Sequence, residues 1–84
     1  MLHYDVFVNS LADLPEGQEV RLAIRDLAPG THKYCYSNVT ALVSPDAQKY
    51  EYGLLVRFGR GQIHPAPYSI KILQQVERIP ERWR

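Results

Sequence analysis

Three things are scarce in this chain of 84 residues: cysteine, long apolar runs and net charge. Cys35 is the only cysteine, so no disulfide can form within the chain and we expect a reducing, cytoplasmic location. The longest aliphatic runs, residues 41–43 and 54–56, are far shorter than the roughly 20 residues that cross a bilayer as a helix, so we expect no membrane partner. Ten basic and nine acidic residues give a formal net charge of +1, too balanced to indicate a strongly charged ligand.

The length of the chain allows only one hydrophobic core. We expect a single domain over residues 1–79 and a short C-terminal tail over residues 80–84. Charge is unevenly distributed along it, because residues 57–84 hold six basic and two acidic side chains, whereas residues 1–56 hold four basic and seven acidic ones. The final third of the chain is therefore the more basic part.

Apolar and polar side chains alternate along most of the chain, which predicts short strands with one buried face. The alternation is cleanest over residues 20–25, and the longest apolar face comes from every second residue of 50–58. Residues 4–8 and 34–43 follow the same pattern. The apolar faces predict one core, made of Val20, Leu22, Ile24, Val39, Ala41, Val43, Leu54, Val56, Phe58, Ile70 and Ile72.

Residues 70–79 fit two patterns. Ile70, Ile72 and Val76 alternate with polar residues and favour a closing strand. Ile72, Val76 and Ile79 also lie at helical spacing, so a short C-terminal helix stays open as the alternative.

Five or six short strands around one small core predict an all-β fold, a small antiparallel barrel, because closure removes exposed strand edges. The arrangement of residues 18–76 resembles that of SH3-like barrels, although no family motif accompanies it. In SH3-like barrels the long first loop and the proline-bearing turn before the last strand flank one groove. The resemblance therefore implies that Tyr34, Tyr36 and Tyr68 lie beside such a groove.

Metal binding and catalysis find little support in the sequence. His32 and Cys35 have the HxxC spacing of half a zinc site, but only the distant His3 and His64 remain to complete it. Cys35 also lacks an adjacent base that would make it a nucleophile. We therefore expect no metal, no cofactor and no enzymatic activity, and we expect Cys35→Ser to keep its biological activity.

Binding to a protein partner is the function that the sequence favours, because aromatic side chains in loops and tails dominate many interfaces. The alternative is a nucleic acid held by the basic final third, which the near-neutral charge places second. The candidate partner-binding residues are Tyr34, Tyr36, Tyr68 and Trp83. The candidate phosphate or nucleic-acid contacts are Arg57, Arg60, Lys71, Arg82 and Arg84.

Overall fold

The regular elements of the described part of the chain are five strands and one short 3-10 helix. The computed structural model describes residues 3–27, 30, 33–58 and 68–80, and for residues 77–80 it describes the backbone. The elements in chain order are β1 (His3–Val8), the 3-10 helix (Leu11–Asp13), β2 (Val20–Leu27), β3 (Tyr34–Ser44), β4 (Tyr52–Phe58) and β5 (Tyr68–Pro80).

The strands close into a barrel in the order β1-β2-β3-β5-β4, with β4 returning to β1. Strand directions cannot alternate around a closed ring of five, so at least one neighbouring pair has to be parallel. That pair is β1 and β4, which align from His3 opposite Gly53 to Val8 opposite Phe58. The other four ladders are antiparallel. The small, all-β, SH3-like barrel is thus confirmed, and its antiparallel description holds for four of the five ladders.

The last strand shows why residues 70–79 carry two patterns. These residues pair with β3, so the strand prediction is confirmed and the helical alternative is wrong. Leu73 and Val76 have no partner residue in β3, because the register shifts at each of them. Each bulge inserts an extra residue and interrupts the period of two. Helical spacing among the apolar residues is therefore produced by two bulges within a strand.

All the predicted core residues pack into one core inside the barrel, although Val20, Phe58 and Ile72 are only partly buried. Burial of one face of each strand explains the alternation, since successive side chains point to opposite sides of a sheet. The core has further members that the predicted set did not include. They are Tyr4, Val6, Val8, Leu14 and Tyr68.

Tyr68 lies in a different environment from the one predicted. The sequence placed it in a loop or at a strand end, available to a partner; it is indeed the first residue of β5, but it pairs with Leu54 of β4 and is only 7% exposed. The proximity of prolines suggested irregular backbone, whereas Tyr68 itself belongs to the hydrophobic core of the barrel. Little of its surface is left for a partner.

A buried serine, Ser69, stabilises the turn between β3 and β4. The hydroxyl of Ser69 donates to the carbonyl of Asp46 at 2.6 Å and accepts from the backbone N–H of Tyr50 at 3.0 Å. Nearby, Lys49 donates to Glu16 at 3.2 Å, and this hydrogen bond is the main cause that raises the pKa of Lys49 above its ordinary value. Ser69 is fully buried, so these contacts supply partners to backbone groups that water cannot easily reach.

Candidate protein-binding surface

Charged and aromatic side chains meet on the outer surface of the barrel, where β1 lies between β2 and β4. Asp5 of β1 is directly opposite Arg25 of β2. The residues next to them, Val6 and Ile24, are each 1% exposed and point into the core, so Asp5 and Arg25 point outward. We call the group formed here the Arg25 cluster; its members are Asp5, Phe7, Arg25, Tyr34 and Arg57.

One carboxylate orders two guanidinium groups in the Arg25 cluster. Oδ2 of Asp5 accepts a hydrogen bond from Nη2 of Arg25 at 2.9 Å and another from Nε of Arg57 at 3.1 Å. The three side chains are only 13%, 18% and 24% exposed, respectively. The group therefore carries a formal charge of +1 in a partly dehydrated position, where charges interact more strongly than in open water.

The guanidinium of Arg25 also contacts two aromatic rings. Its Cζ atom lies 4.5 Å from the centroid of Tyr34 and 5.4 Å from that of Phe7, within the range of cation–π interactions. Phe7 is 44% exposed and Tyr34 is 38% exposed. Leu27, which pairs with Tyr34 across the β2–β3 ladder, is 47% exposed and extends the apolar surface. An ordered arginine is thus surrounded by apolar groups that solvent can reach.

The predicted partner-binding residues fall in different places. Tyr34 is exposed and belongs to the Arg25 cluster, and Tyr36, opposite Arg25 in the β2–β3 ladder, is half-buried. Tyr68 is in the core, as described above. Trp83 lies outside the described residues.

Two of the predicted nucleic-acid contacts lie in the described part of the chain. Arg57 is bound to Asp5, and Lys71 is exposed on β5. Arg60, Arg82 and Arg84 lie outside the described residues. Nucleic-acid binding therefore stays a prediction.

Sequence reasoning missed Asp5, Phe7 and Arg25 as members of one site. A signal for Phe7 was present, because it places a large apolar ring on the polar face of the first strand. The alternation over residues 20–25 also puts Arg25 on the polar face of its strand. The alternation of apolar and polar residues does not show which residues of different strands contact each other. Asp5 is 20 positions from Arg25 and 52 from Arg57, so no local pattern connects them.

The described residues also bear on metal binding and on membrane insertion. Among residues 3–27, 30, 33–58 and 68–80, no group of three or more His, Cys, Asp or Glu residues is placed to hold a metal ion. Cys35 is a free thiol, 5% exposed, and lies opposite Asp26. His32 and His64 are outside the described residues, so the HxxC pair is not tested. The same described ranges contain no helix with the length and apolar character of a membrane span.

Comparison with known proteins identifies a family. The model of the phenylphosphate carboxylase gamma subunit matches residues 2–84, and the chain belongs to this family. The match overturns the expectation that the chain is not an enzyme, because the family is defined as a subunit of a carboxylase. Membership in a family of subunits implies protein partners. No curated protein and no solved structure shows significant similarity to the chain.

Proposed function

We propose that this member of the phenylphosphate carboxylase gamma subunit family binds another subunit of a carboxylase complex through its Arg25 cluster. The observation that carries the proposal is the position of Arg25 between the rings of Phe7 and Tyr34 while it is bound to Asp5. Arginine and aromatic residues are enriched among the side chains that dominate interface energies.

Order within the cluster favours tight binding. Immobilising a flexible side chain at an interface costs about 0.5 to 1.5 kcal/mol. In the free chain Arg25 already has a hydrogen bond to Asp5 and two ring contacts, so much of this ordering precedes association. A partner that covers the cluster would also remove the exposed parts of Phe7, Tyr34 and Leu27 from water.

Charge indicates the character of the partner surface. Two guanidinium groups share the single carboxylate of Asp5, so the cluster retains one positive charge. An apolar partner surface that carries an acidic side chain complements both the charge and the rings. Such complementarity raises the association rate and excludes partners of like charge.

The test measures the affinity of the full chain for the other subunits of the complex by isothermal titration calorimetry. We expect Tyr34→Ala and Phe7→Ala each to weaken binding by about tenfold or more, which corresponds to about 1.4 kcal/mol. Both rings are partly exposed, so these variants are expected to fold, and circular dichroism checks that they do.

Tyr50→Ala is the matched control. Tyr50 is also a partly exposed tyrosine near a cation, since Nζ of Lys49 lies 5.7 Å from its ring centroid, but it belongs to the turn between β3 and β4. We expect it to change affinity less than about twofold, because contacts outside the dominant cluster contribute little. Wild-type affinity in folded Tyr34→Ala and Phe7→Ala variants would contradict the proposal.

A further inference from the structure

A groove crosses the outer surface of β2, β3 and β5, away from the Arg25 cluster. It has a volume of about 530 Å³. Sites for small molecules have volumes of roughly 300 to 1,000 Å³. The lining residues are Arg21, Leu22, Ala23, Asn38, Val39, Thr40, Gln74 and Val76.

Three polar residues form a row across the groove. Arg21 of β2 is opposite Thr40 of β3, and Thr40 is opposite Gln74 of β5. Neighbouring strands are about 4.8 Å apart, so the row spans about 10 Å. The row places a guanidinium, a hydroxyl and an amide together, and each of these groups can donate hydrogen bonds.

These donors are available to a ligand. Within the part of the chain that the structure describes, the side chains of Arg21, Thr40 and Gln74 have no hydrogen bond or ion pair. The adjacent Gln75 differs, because its amide donates to the hydroxyl of the buried Ser37 at 2.8 Å. The row thus offers a cation and two neutral donors to a ligand, which is the chemistry that binds carboxylate and phosphate groups.

Apolar groups border the same row. Ala23 lies opposite Asn38, and its small side chain leaves space between the larger residues of β2 and β3. Val76, one of the two bulged residues of β5, is 70% exposed and lines the groove. Bulges often occur beside functional sites, where they redirect side chains. The other bulge, Leu73, lies on the opposite side of Gln74 in the sequence, so the irregular part of β5 coincides with the groove.

We propose that this groove binds a small organic anion. Its carboxylate or phosphate group contacts Arg21, Thr40 and Gln74, and its apolar body contacts Ala23 and Val76. The inference does not depend on the proposed docking role. Arg21 is four residues from Arg25 along β2, a separation of about 13 Å at strand spacing, so the groove and the cluster can be altered separately.

The experiment titrates the full chain with benzoate, phenyl phosphate and inorganic phosphate while the backbone amide signals are followed by NMR. We expect saturable shifts at Thr40 and Gln74 with benzoate, with phenyl phosphate or with both, and the preferred compound identifies the anionic group. Inorganic phosphate should bind about tenfold more weakly or worse, because it lacks an apolar body. Absence of saturable shifts with both aromatic anions would overturn the proposal, as would equal affinity for inorganic phosphate.

Variants of Arg21 separate recognition from general charge. Arg21→Met should weaken binding of the aromatic anion by about tenfold or more, since a charged hydrogen bond is lost, and Arg21→Lys should recover part of it. Lys33→Met is the control, because it also removes one positive charge and immediately precedes β3, whose first residue, Tyr34, is six residues or about 20 Å of strand from Thr40. Equal losses in Arg21→Met and Lys33→Met would show a nonspecific charge effect and overturn the proposal.

Ala23→Leu tests the shape of the groove without changing its charge. The larger side chain points outward, so we expect the thermal unfolding midpoint to stay close to that of the wild type. Binding of the aromatic anion should fall by about tenfold or more, because the added carbons occupy the place of the apolar body. Unchanged affinity in the folded variant would contradict the location of the site.

Discussion

Replacing Asp5 with alanine tests whether the Arg25 cluster is as ordered as its geometry indicates. The substitution removes hydrogen bonds to Arg25 at 2.9 Å and to Arg57 at 3.1 Å and leaves two like charges close together. Breaking a fully buried ion pair costs about 3 to 5 kcal/mol, whereas a fully exposed pair contributes about 0 to 1 kcal/mol. The three side chains are between 13% and 24% exposed, so we expect a loss of about 2 to 3 kcal/mol in the free energy of unfolding.

Urea unfolding followed by circular dichroism measures this loss. For a slope of about 1 kcal/mol per molar urea, the midpoint should fall by about 2 to 3 M. Lys49→Met is the control, because it breaks a pair whose side chains are 46% and 50% exposed and should lower the urea midpoint much less than Asp5→Ala does.

A double-mutant cycle identifies the source of the loss. If Asp5 acts through Arg25, the effect of Asp5→Ala should shrink by about 1 kcal/mol or more in a chain that already carries Arg25→Met. A loss no larger than that of Lys49→Met, or strictly additive effects in the cycle, would refute the reasoning.

Two further predictions concern buried side chains. Ser69→Ala should lower the free energy of unfolding by about 2 to 3 kcal/mol in chemical denaturation, because the carbonyl of Asp46 and the N–H of Tyr50 both lose a buried partner; a loss below about 0.5 kcal/mol would show that water replaces the hydroxyl. Cys35 is 5% exposed, so its reaction with a disulfide reagent should be slow in the folded chain and should accelerate as urea increases the open population. Reaction in native buffer at the rate of a free thiol would contradict the burial.

Strand positions and the core were predictable from residue type alone because burial acts on alternate residues of a strand. Leu22 and Ile24 are buried while Arg21 and Ala23 between and beside them are exposed, and this is the alternation read from residues 20–25. The same argument holds for Leu54 and Val56 of β4. Local periodicity carries this information without any knowledge of the partner strands.

Long-range pairings were not predictable in this way. No local pattern states that β4 lies parallel to β1 or that Asp5 meets both Arg25 and Arg57. The bulges at Leu73 and Val76 are also set by the fit between β3 and β5, so the sequence shows only their effect on periodicity. The burial of Tyr68 was missed for a related reason, because neighbouring prolines constrain the backbone around it but carry no information about what its ring packs against.

The position of β5 determines when the barrel can close during synthesis of the chain. The last strand in chain order, β5, lies between β3 and β4 and pairs with both of them. Until residues 68–80 leave the ribosome, both β3 and β4 present an unpaired edge. Unpaired edges promote association between chains, and pairings that join distant residues form slowly. The barrel therefore closes only after residues 68–80 have been synthesised, and before that point β3 and β4 are exposed to pairing with other chains.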